Sequence, residues 1–178
     1  GLVYYNGEYH LFYQYNPFGN TWGHMSWGHA KSRDMMKWTH LPVAIPEIKL
    51  DNNKTAMIFS GTAVVDNKNT AGLGNAQNKS PLVAVYTANI DSAGNGLRQY
   101  QSLAYSLDGI HFTQYQNNPV LDIGLKDFRD PKIFWYEAGK KWVMIVAKPL
   151  EFAVQFYSSG DLKSWTLLSE FSDSRGDR

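Results

Sequence analysis

Ser32-Arg33-Asp34-Met35-Met36-Lys37-Trp38-Thr39 is the stretch that decides the fold, because its pattern occurs three times in the sequence. The same spacing of Ser, Asp, an aromatic residue and Thr returns over 106–113 and over 159–166. Because Ser and Asp side chains hydrogen-bond to the backbone of tight turns, each copy predicts a turn between two strands. Repeats of roughly 50 residues with about four short strands each are typical of β-propeller blades.

Strand-like segments dominate the rest of the sequence, and no amphipathic helix is evident. Leu2–Tyr5 and Tyr9–Tyr15 flank Asn6-Gly7, which predicts a β-hairpin with a two-residue turn. The remaining predicted strands are Met57–Asp66, Leu82–Ala88, Tyr100–Ser106, and a second hairpin of Ile133–Tyr136 and Lys141–Ala147. The polar stretches Asn67–Ser80 and Asn89–Leu97 are predicted to be loops.

These segments predict an all-β fold in which about three propeller blades cover residues of about 1–45, 55–118 and 128–178. The innermost strands of a propeller begin near its central axis, so residues at their starts face one funnel-shaped pocket. Asp130-Pro131 lies just before an innermost strand, and the same register places an equivalent dipeptide just before Gly1. A closed propeller needs more than three blades, so we expect the chain to be incomplete at both ends.

Composition argues against several classes of function. The formal net charge is +1 with basic and acidic residues interspersed, which argues against a nucleic-acid or anionic-membrane partner. No apolar run approaches the roughly 20 residues that span a bilayer, and the absence of cysteine excludes disulfides and thiolate chemistry. The five His residues show no zinc-binding spacing, so we expect neither a metal nor another cofactor. Aromatic residues make up 15% of the sequence. This content favours a β-rich core, and a site where rings stack on sugar is the second interpretation.

Four short segments carry a resemblance to a known family: Phe12–Pro17, Trp27–Ala30, Phe59–Ala63 and Phe128–Pro131. They resemble the FYQYNP, WGHA, FSGTA and FRDP segments of glycoside hydrolase family 32, and they follow the family's order. The chain is therefore identified as a member of the family that contains invertases, inulinases, levanases and fructosyltransferases. The resemblance implies a five-bladed β-propeller, followed by a β-sandwich that this chain does not include.

The implied activity is hydrolysis of terminal β-fructofuranosyl bonds in inulin, levan or sucrose with retention of configuration, which requires two carboxyl groups about 5 Å apart. The resemblance places the nucleophilic Asp three positions before Gly1 and the acid/base Glu shortly after Arg178. We therefore expect this stretch alone to be inactive. Asp130 matches the family's third carboxylate, which stabilises the transition state by accepting hydrogen bonds from fructose hydroxyls.

The resemblance also implies which side chains bind the fructose-containing substrate. Gln14 matches a ligand of sugar hydroxyls, and Trp22 and Phe59 match walls of the fructose pocket. Ser60 is expected near the same sugar, and Arg129 is expected to pair with carboxylates in the pocket. His29 is a candidate general base, because the ordinary pKa of histidine lies near neutral pH. The segment around it, however, predicts a packing role.

Three other interpretations remain open from the sequence. A fructosyltransferase of the same family differs only in the acceptor that attacks the intermediate. A noncatalytic propeller with the same aromatic-rich pocket would bind sugar without cleaving it. Another five-bladed propeller glycosidase, such as an arabinan-cleaving enzyme, would share the architecture, although the segments around Gln14 and Ser60 argue against it. We expect the full-length protein to be secreted or periplasmic.

Overall fold

Three antiparallel sheets make up the structure, a computed structural model that describes residues 1–78 and 80–173. The first sheet contains β1 (Leu2–Tyr5), β2 (Glu8–Tyr15), β3 (Ser26–Ser32) and β4 (Thr39–Ile45), in that order. The middle sheet contains β5 (Ile48–Lys49), β6 (Lys54–Val65), β7 (Leu82–Ser92), β8 (Asn95–Ser106) and β9 (Thr113–Gln114). The third sheet contains β10 (Arg129–Tyr136), β11 (Lys141–Lys148), β12 (Ala153–Ser159) and β13 (Thr166–Ser172), with a short 3₁₀ helix at Pro149–Glu151. No helix in the described residues is long and apolar enough to cross a bilayer.

The repeated sequence forms the turn that the spacing predicts. Ser32 Oγ accepts hydrogen bonds from two backbone N–H groups at 3.2 and 2.9 Å, and Asp34 Oδ1 accepts two more at 2.9 Å each. The backbone N–H groups of Lys37 and Met36 lower the pKa of the Asp34 carboxyl. In the second and third copies the Asp carboxylate again accepts two backbone hydrogen bonds. The three turns join β3 to β4, β8 to β9 and β12 to β13.

One predicted loop is wrong, because Asn89–Leu97 lies within a long hairpin. β7 continues to Ser92 and β8 begins at Asn95, with a tight turn between them. Asn89 and Asp91, two of the polar residues that suggested a loop, are buried inside this hairpin instead. Gln99 Nε2 donates a hydrogen bond to Asn89 Oδ1 at 3.0 Å, so each side chain satisfies the other. The other predicted loop, over 67–80, has no strand in its described residues.

The core has two layers because both faces of the middle sheet are apolar. Alternate residues of β7 point to opposite faces, so Leu82, Ala84 and Tyr86 pack toward the first sheet. Val83 and Val85 pack toward the third sheet. The outer faces of the first and third sheets leave large apolar side chains exposed, among them Leu2, Tyr4, Phe134, Tyr136 and Phe171.

Two histidines form a buried pair within the first sheet. His10 Nδ1 lies 3.0 Å from His29 Nε2, and the His29 ring stacks on Phe12 with centroids 4.4 Å apart. His29 is completely buried, and its Nδ1 has no hydrogen-bond partner in the described residues. Burial, with a smaller effect of His10 and Lys31, lowers the pKa of His29 to about 4. The packing role expected for His29 agrees with this environment.

Stability is therefore expected to fall as the pH drops from about 6.5 to about 4. In the unfolded chain His29 takes up a proton near its ordinary pKa of about 6.5, whereas in the folded protein it stays neutral until about pH 4. The unfolded state binds more protons in this window, and the loss from this group reaches about 3 kcal/mol at its lower end. Urea unfolding of the protein and of His29→Phe at pH 7 and pH 4.5 checks this. An equally steep loss of stability in the variant would contradict it.

Candidate functional site

A β-bulge in β6 carries two of the residues that the sequence assigned to a sugar pocket. In the ladder with β7, Ile58 pairs with Ala88 and Gly61 pairs with Tyr86, so Phe59 and Ser60 together face one residue of β7. Ser60 is exposed and Phe59 is half-buried. Bulges of this kind turn side chains away from the regular ladder and are frequent beside active sites.

The first sheet holds this bulge in place through side chains. Gln14 Nε2 donates a hydrogen bond to the Ile58 carbonyl at 3.0 Å, and Trp27 Nε1 donates to the Phe59 carbonyl at 2.9 Å. Trp22 lies in the loop between β2 and β3 with 70% of its surface exposed, and its ring meets Phe59 edge-on with centroids 6.2 Å apart. Gln14, Trp22, Phe59 and Ser60 therefore lie close together around one bulge.

A second bulge, at the start of β10, carries Asp130. Arg129 pairs with Ala147 and Lys132 pairs with Ile145, so Asp130 and Pro131 face one residue of β11. Asp130 has φ of 63°, a left-handed conformation that Asp adopts more readily than most residues. Its carboxylate is exposed and has no hydrogen-bond or ion-pair partner within residues 1–78 and 80–173. Such an anion is free to accept hydrogen bonds from a polar ligand.

Arg129 contacts one carboxylate and one amide in the described residues. Its Nη1 forms an ion pair with Asp127, which lies in the segment just before β10. The same nitrogen donates to Gln99 Oε1 at 3.3 Å. The guanidinium is thus held against the loop and the middle sheet at the start of β10.

The starts of β1 and β10 lie on either side of the middle of β6. Thr62 Oγ1 donates to the Pro131 carbonyl at 2.7 Å and accepts from the Ile133 N–H at 3.3 Å, which joins β6 to β10. On the other side of β6, a Cβ on Gly1 would lie 3.7 Å from the carbonyl oxygen of Gly61. Both bulges therefore lie where the starts of β1 and β10 meet β6, with Gln14 and Trp22 near one and Arg129 near the other.

Sequence reasoning missed the buried polar residues that support Asp130. Thr87 and Asn89 on β7, and Gln99 and Gln101 on β8, are all buried. Gln99 Oε1 accepts from the Phe128 N–H at 2.9 Å, and Gln101 Nε2 donates to the Phe128 carbonyl at 2.8 Å. The available signal was the pair of polar residues two positions apart in each strand, because that spacing places both side chains on one face. No group of three or more His, Asp or Glu in the described residues could hold a metal ion.

Comparison with known proteins gives the family. The model described as "Glycosyl hydrolases family 32 N-terminal domain" matches residues 1–178. The chain belongs to glycoside hydrolase family 32. Among curated proteins, this family 32 chain is 52% identical over 179 residues to a levanase of Bacillus subtilis. It is 43% identical to an extracellular exo-inulinase of Aspergillus awamori and 43% identical to invertase 1 of Saccharomyces cerevisiae.

Solved structures agree with this membership. The exo-inulinase of Aspergillus awamori superposes with a TM-score of 0.87 at 41% identity, covering 97% of this chain and 37% of that one. A fructofuranosidase of Schwanniomyces occidentalis solved with fructose gives the same TM-score at 43% identity, covering 97% and 33%. The family and the propeller fold class predicted from the sequence are confirmed, and the three sheets are part of the family's five-bladed propeller.

The family 32 chain is much shorter than its relatives. The match to the levanase covers 99% of this chain but only 24% of the levanase. The match to the exo-inulinase covers 96% of this chain and 35% of that protein, and the match to the invertase covers 94% and 30%. These relatives are glycosidases, and their names include both fructan- and sucrose-cleaving enzymes.

Proposed function

We propose that this chain forms part of the fructose pocket of a retaining glycosidase that hydrolyses terminal β-fructofuranosyl bonds in fructans or sucrose. The observation that carries the proposal is the exposed Asp130 carboxylate, which the described residues leave unpaired on a bulge at the start of an innermost strand. The relatives named levanase, exo-inulinase and invertase support the substrate class.

In this proposal Asp130 accepts hydrogen bonds from two fructose hydroxyls. Positive charge develops on the sugar ring as it approaches the oxocarbenium-like transition state, so a fixed anion and strengthening hydrogen bonds lower the barrier. Gln14 binds another hydroxyl, and Arg129 adds positive charge beside the pocket carboxylates. We assign the nucleophile and the acid/base group to parts of the protein outside this chain.

The aromatic side chains form the walls of the pocket. Trp22 and Phe59 meet edge-on, so their exposed surfaces can enclose the apolar face of one sugar ring. In this proposal Ser60, which is exposed on the same bulge, donates a hydrogen bond to the bound sugar. The proposed partner is thus a fructose-containing sugar, either small or polymeric.

We also propose one blade for each sheet, with blades of about 1–45, 55–118 and 128–178. Residues 174–178 lie outside the described part of the chain.

The full-length protein is proposed to be secreted or periplasmic, which the extracellular exo-inulinases among the relatives support.

A chimera tests the proposed function directly. This chain replaces the matching 179-residue segment of the Bacillus subtilis levanase, which supplies everything outside it. Release of free fructose from levan, inulin or sucrose at a rate within about tenfold of the levanase supports the proposal. A folded chimera that binds fructan but releases no fructose would instead favour a noncatalytic sugar-binding propeller. Transfer of the fructosyl group to another sugar would favour the fructosyltransferase.

Trp22→Ala in this chimera is expected to raise KM about tenfold with kcat nearly unchanged. Trp22 is mostly exposed, so its loss costs little stability, and a stacking contact is made about equally in the ground and transition states. Steady-state kinetics with sucrose measure the split. Trp38→Ala, at the repeated turn on the far end of the first sheet, is the matched control. Equal KM values for the two variants would remove Trp22 from the pocket.

A further inference from the structure

Thr87 and Gln101 form a buried polar pair beneath the Asp130 bulge. Both side chains have no exposed surface. Thr87 Oγ1 donates to Gln101 Oε1 at 2.8 Å, and Gln101 Nε2 donates to the Phe128 carbonyl at 2.8 Å. The Asp130 N–H donates to Thr87 Oγ1 at 3.1 Å. Two side chains of the middle sheet therefore hold the backbone on both sides of Arg129.

The hydrogen bonds in this pair leave one arrangement. Gln101 must turn its NH₂ toward the Phe128 carbonyl, so its oxygen faces Thr87. The Thr87 hydroxyl then gives its only hydrogen to that oxygen, and its lone pairs are left for the Asp130 N–H. Because these groups are buried, any other arrangement leaves a donor or an acceptor unpaired, which is costly.

Thr87 also connects the two bulges. It is the single residue of β7 that faces Phe59 and Ser60, between the pairs Ile58–Ala88 and Gly61–Tyr86. The same side chain binds the bulge of β10. Two hydroxyl groups thus fix Asp130 relative to the β6 bulge: that of Thr87, which binds Asp130 itself, and that of Thr62, which binds the neighbouring Pro131 carbonyl.

We propose that Thr87, oriented by Gln101, is a positioning residue that fixes the Asp130 carboxylate for the reaction. The inference rests on the proposed function, because it requires Asp130 to stabilise the transition state. The Asp130 side chain has no partner of its own in the described residues, so these residues hold it only through its backbone. That backbone is left-handed and takes part in a bulge, so the ladder alone does not hold it.

Thr87→Val in the levanase chimera tests the proposal, because valine keeps the shape of threonine without the hydroxyl. A shift of about 1 Å in a catalytic group lowers rates by up to about 100-fold. We expect kcat for fructose release to fall about 10- to 100-fold with KM changed less than about threefold, since the affected contact strengthens in the transition state. Thr87→Ser, which restores a hydroxyl, should return kcat to within about threefold of the unmodified chimera.

Thr70→Val is the matched control. The Thr70 hydroxyl also donates one hydrogen bond, to Asp66, and accepts one, from Trp142, but it lies in the loop after β6 at the other end of the sheets. Its loss should cost stability and leave kcat within about twofold. An equal loss of kcat in Thr70→Val and Thr87→Val, or an unchanged kcat in Thr87→Val, overturns the positioning role.

Asp130→Asn in the same chimera separates this inference from the proposed function. A large loss of kcat in Asp130→Asn without one in Thr87→Val refutes only the positioning role. Full activity of Asp130→Asn refutes the role of Asp130 itself. If Thr87→Val does not fold, Gln101→Met replaces it, because this change removes the acceptor for the Thr87 hydroxyl. The same loss of kcat is expected.

Discussion

Asp130→Asn is expected to lower kcat for fructose release about 10³-fold in the levanase chimera. Asparagine has nearly the shape of aspartate, and the Asp130 side chain has no partner in the described residues, so the fold should survive. In the proposed function, the variant loses the negative charge that faces the developing oxocarbenium ion. Removing a single preorganised group from a transition state costs about 10²- to 10³-fold, and a charged group with two hydrogen bonds is expected at the upper end.

The same change at a turn carboxylate provides the control. Asp161 Oδ1 accepts two backbone N–H bonds at the turn between β12 and β13, and an asparagine oxygen can accept them as well. Asp161→Asn should therefore keep kcat within about twofold. Steady-state rates on sucrose and levan give both numbers, and similar rates for the two variants would show that Asp130 has no special role.

Gly61→Ala is expected to destabilise the protein by about 3 kcal/mol or more, because overpacking a well-packed site is costly. A Cβ on Gly61 would lie 2.2 Å from the Val85 carbonyl oxygen and 2.6 Å from the Tyr86 Cα. Both atoms belong to the backbone of β7 in the middle of the sheet, so they cannot turn aside as a side chain would. The ladder between β6 and β7 must open, and the bulge with Phe59 and Ser60 shifts with it.

Thermal unfolding measures this effect. A loss of 3 kcal/mol corresponds to a decrease of about 6–12 °C in Tm for a domain of this size. Gly160→Ala is the control, because a Cβ there would have nothing within 4 Å. Its Tm should change by no more than about 2 °C, and a Gly61→Ala protein as stable as this control would contradict the described contact between β6 and β7.

The repeated turn and the first hairpin could be predicted from the sequence because their contacts are local. Ser32 and Asp34 bind the backbone of their own turn, and Asn6-Gly7 suits the tight connection between β1 and β2. Both depend on residues within a few positions of one another. Such patterns are visible without knowledge of the rest of the fold.

The long hairpin of β7 and β8 could not be predicted in the same way. Asn89 looks like a loop residue by composition, yet it lies in a strand, where Gln99 is its hydrogen-bond partner across the ladder. The tertiary contact overrides the local preference.

The candidate site was only partly visible in the sequence. The segments with Ser60 and Asp130 stood out through their resemblance to family 32. Thr87 and Gln101 did not, because they act on residues of another sheet, and such a contact has no local pattern.

A crystal structure of the chimera with Asp130→Asn, soaked with a short fructan, tests the central claim most directly. The account predicts a terminal fructosyl ring against the face of Trp22, with hydroxyl oxygens within about 3 Å of the Gln14 amide and of the side chain at position 130. A fructosyl ring bound at another place, with these three side chains free of sugar, would contradict it.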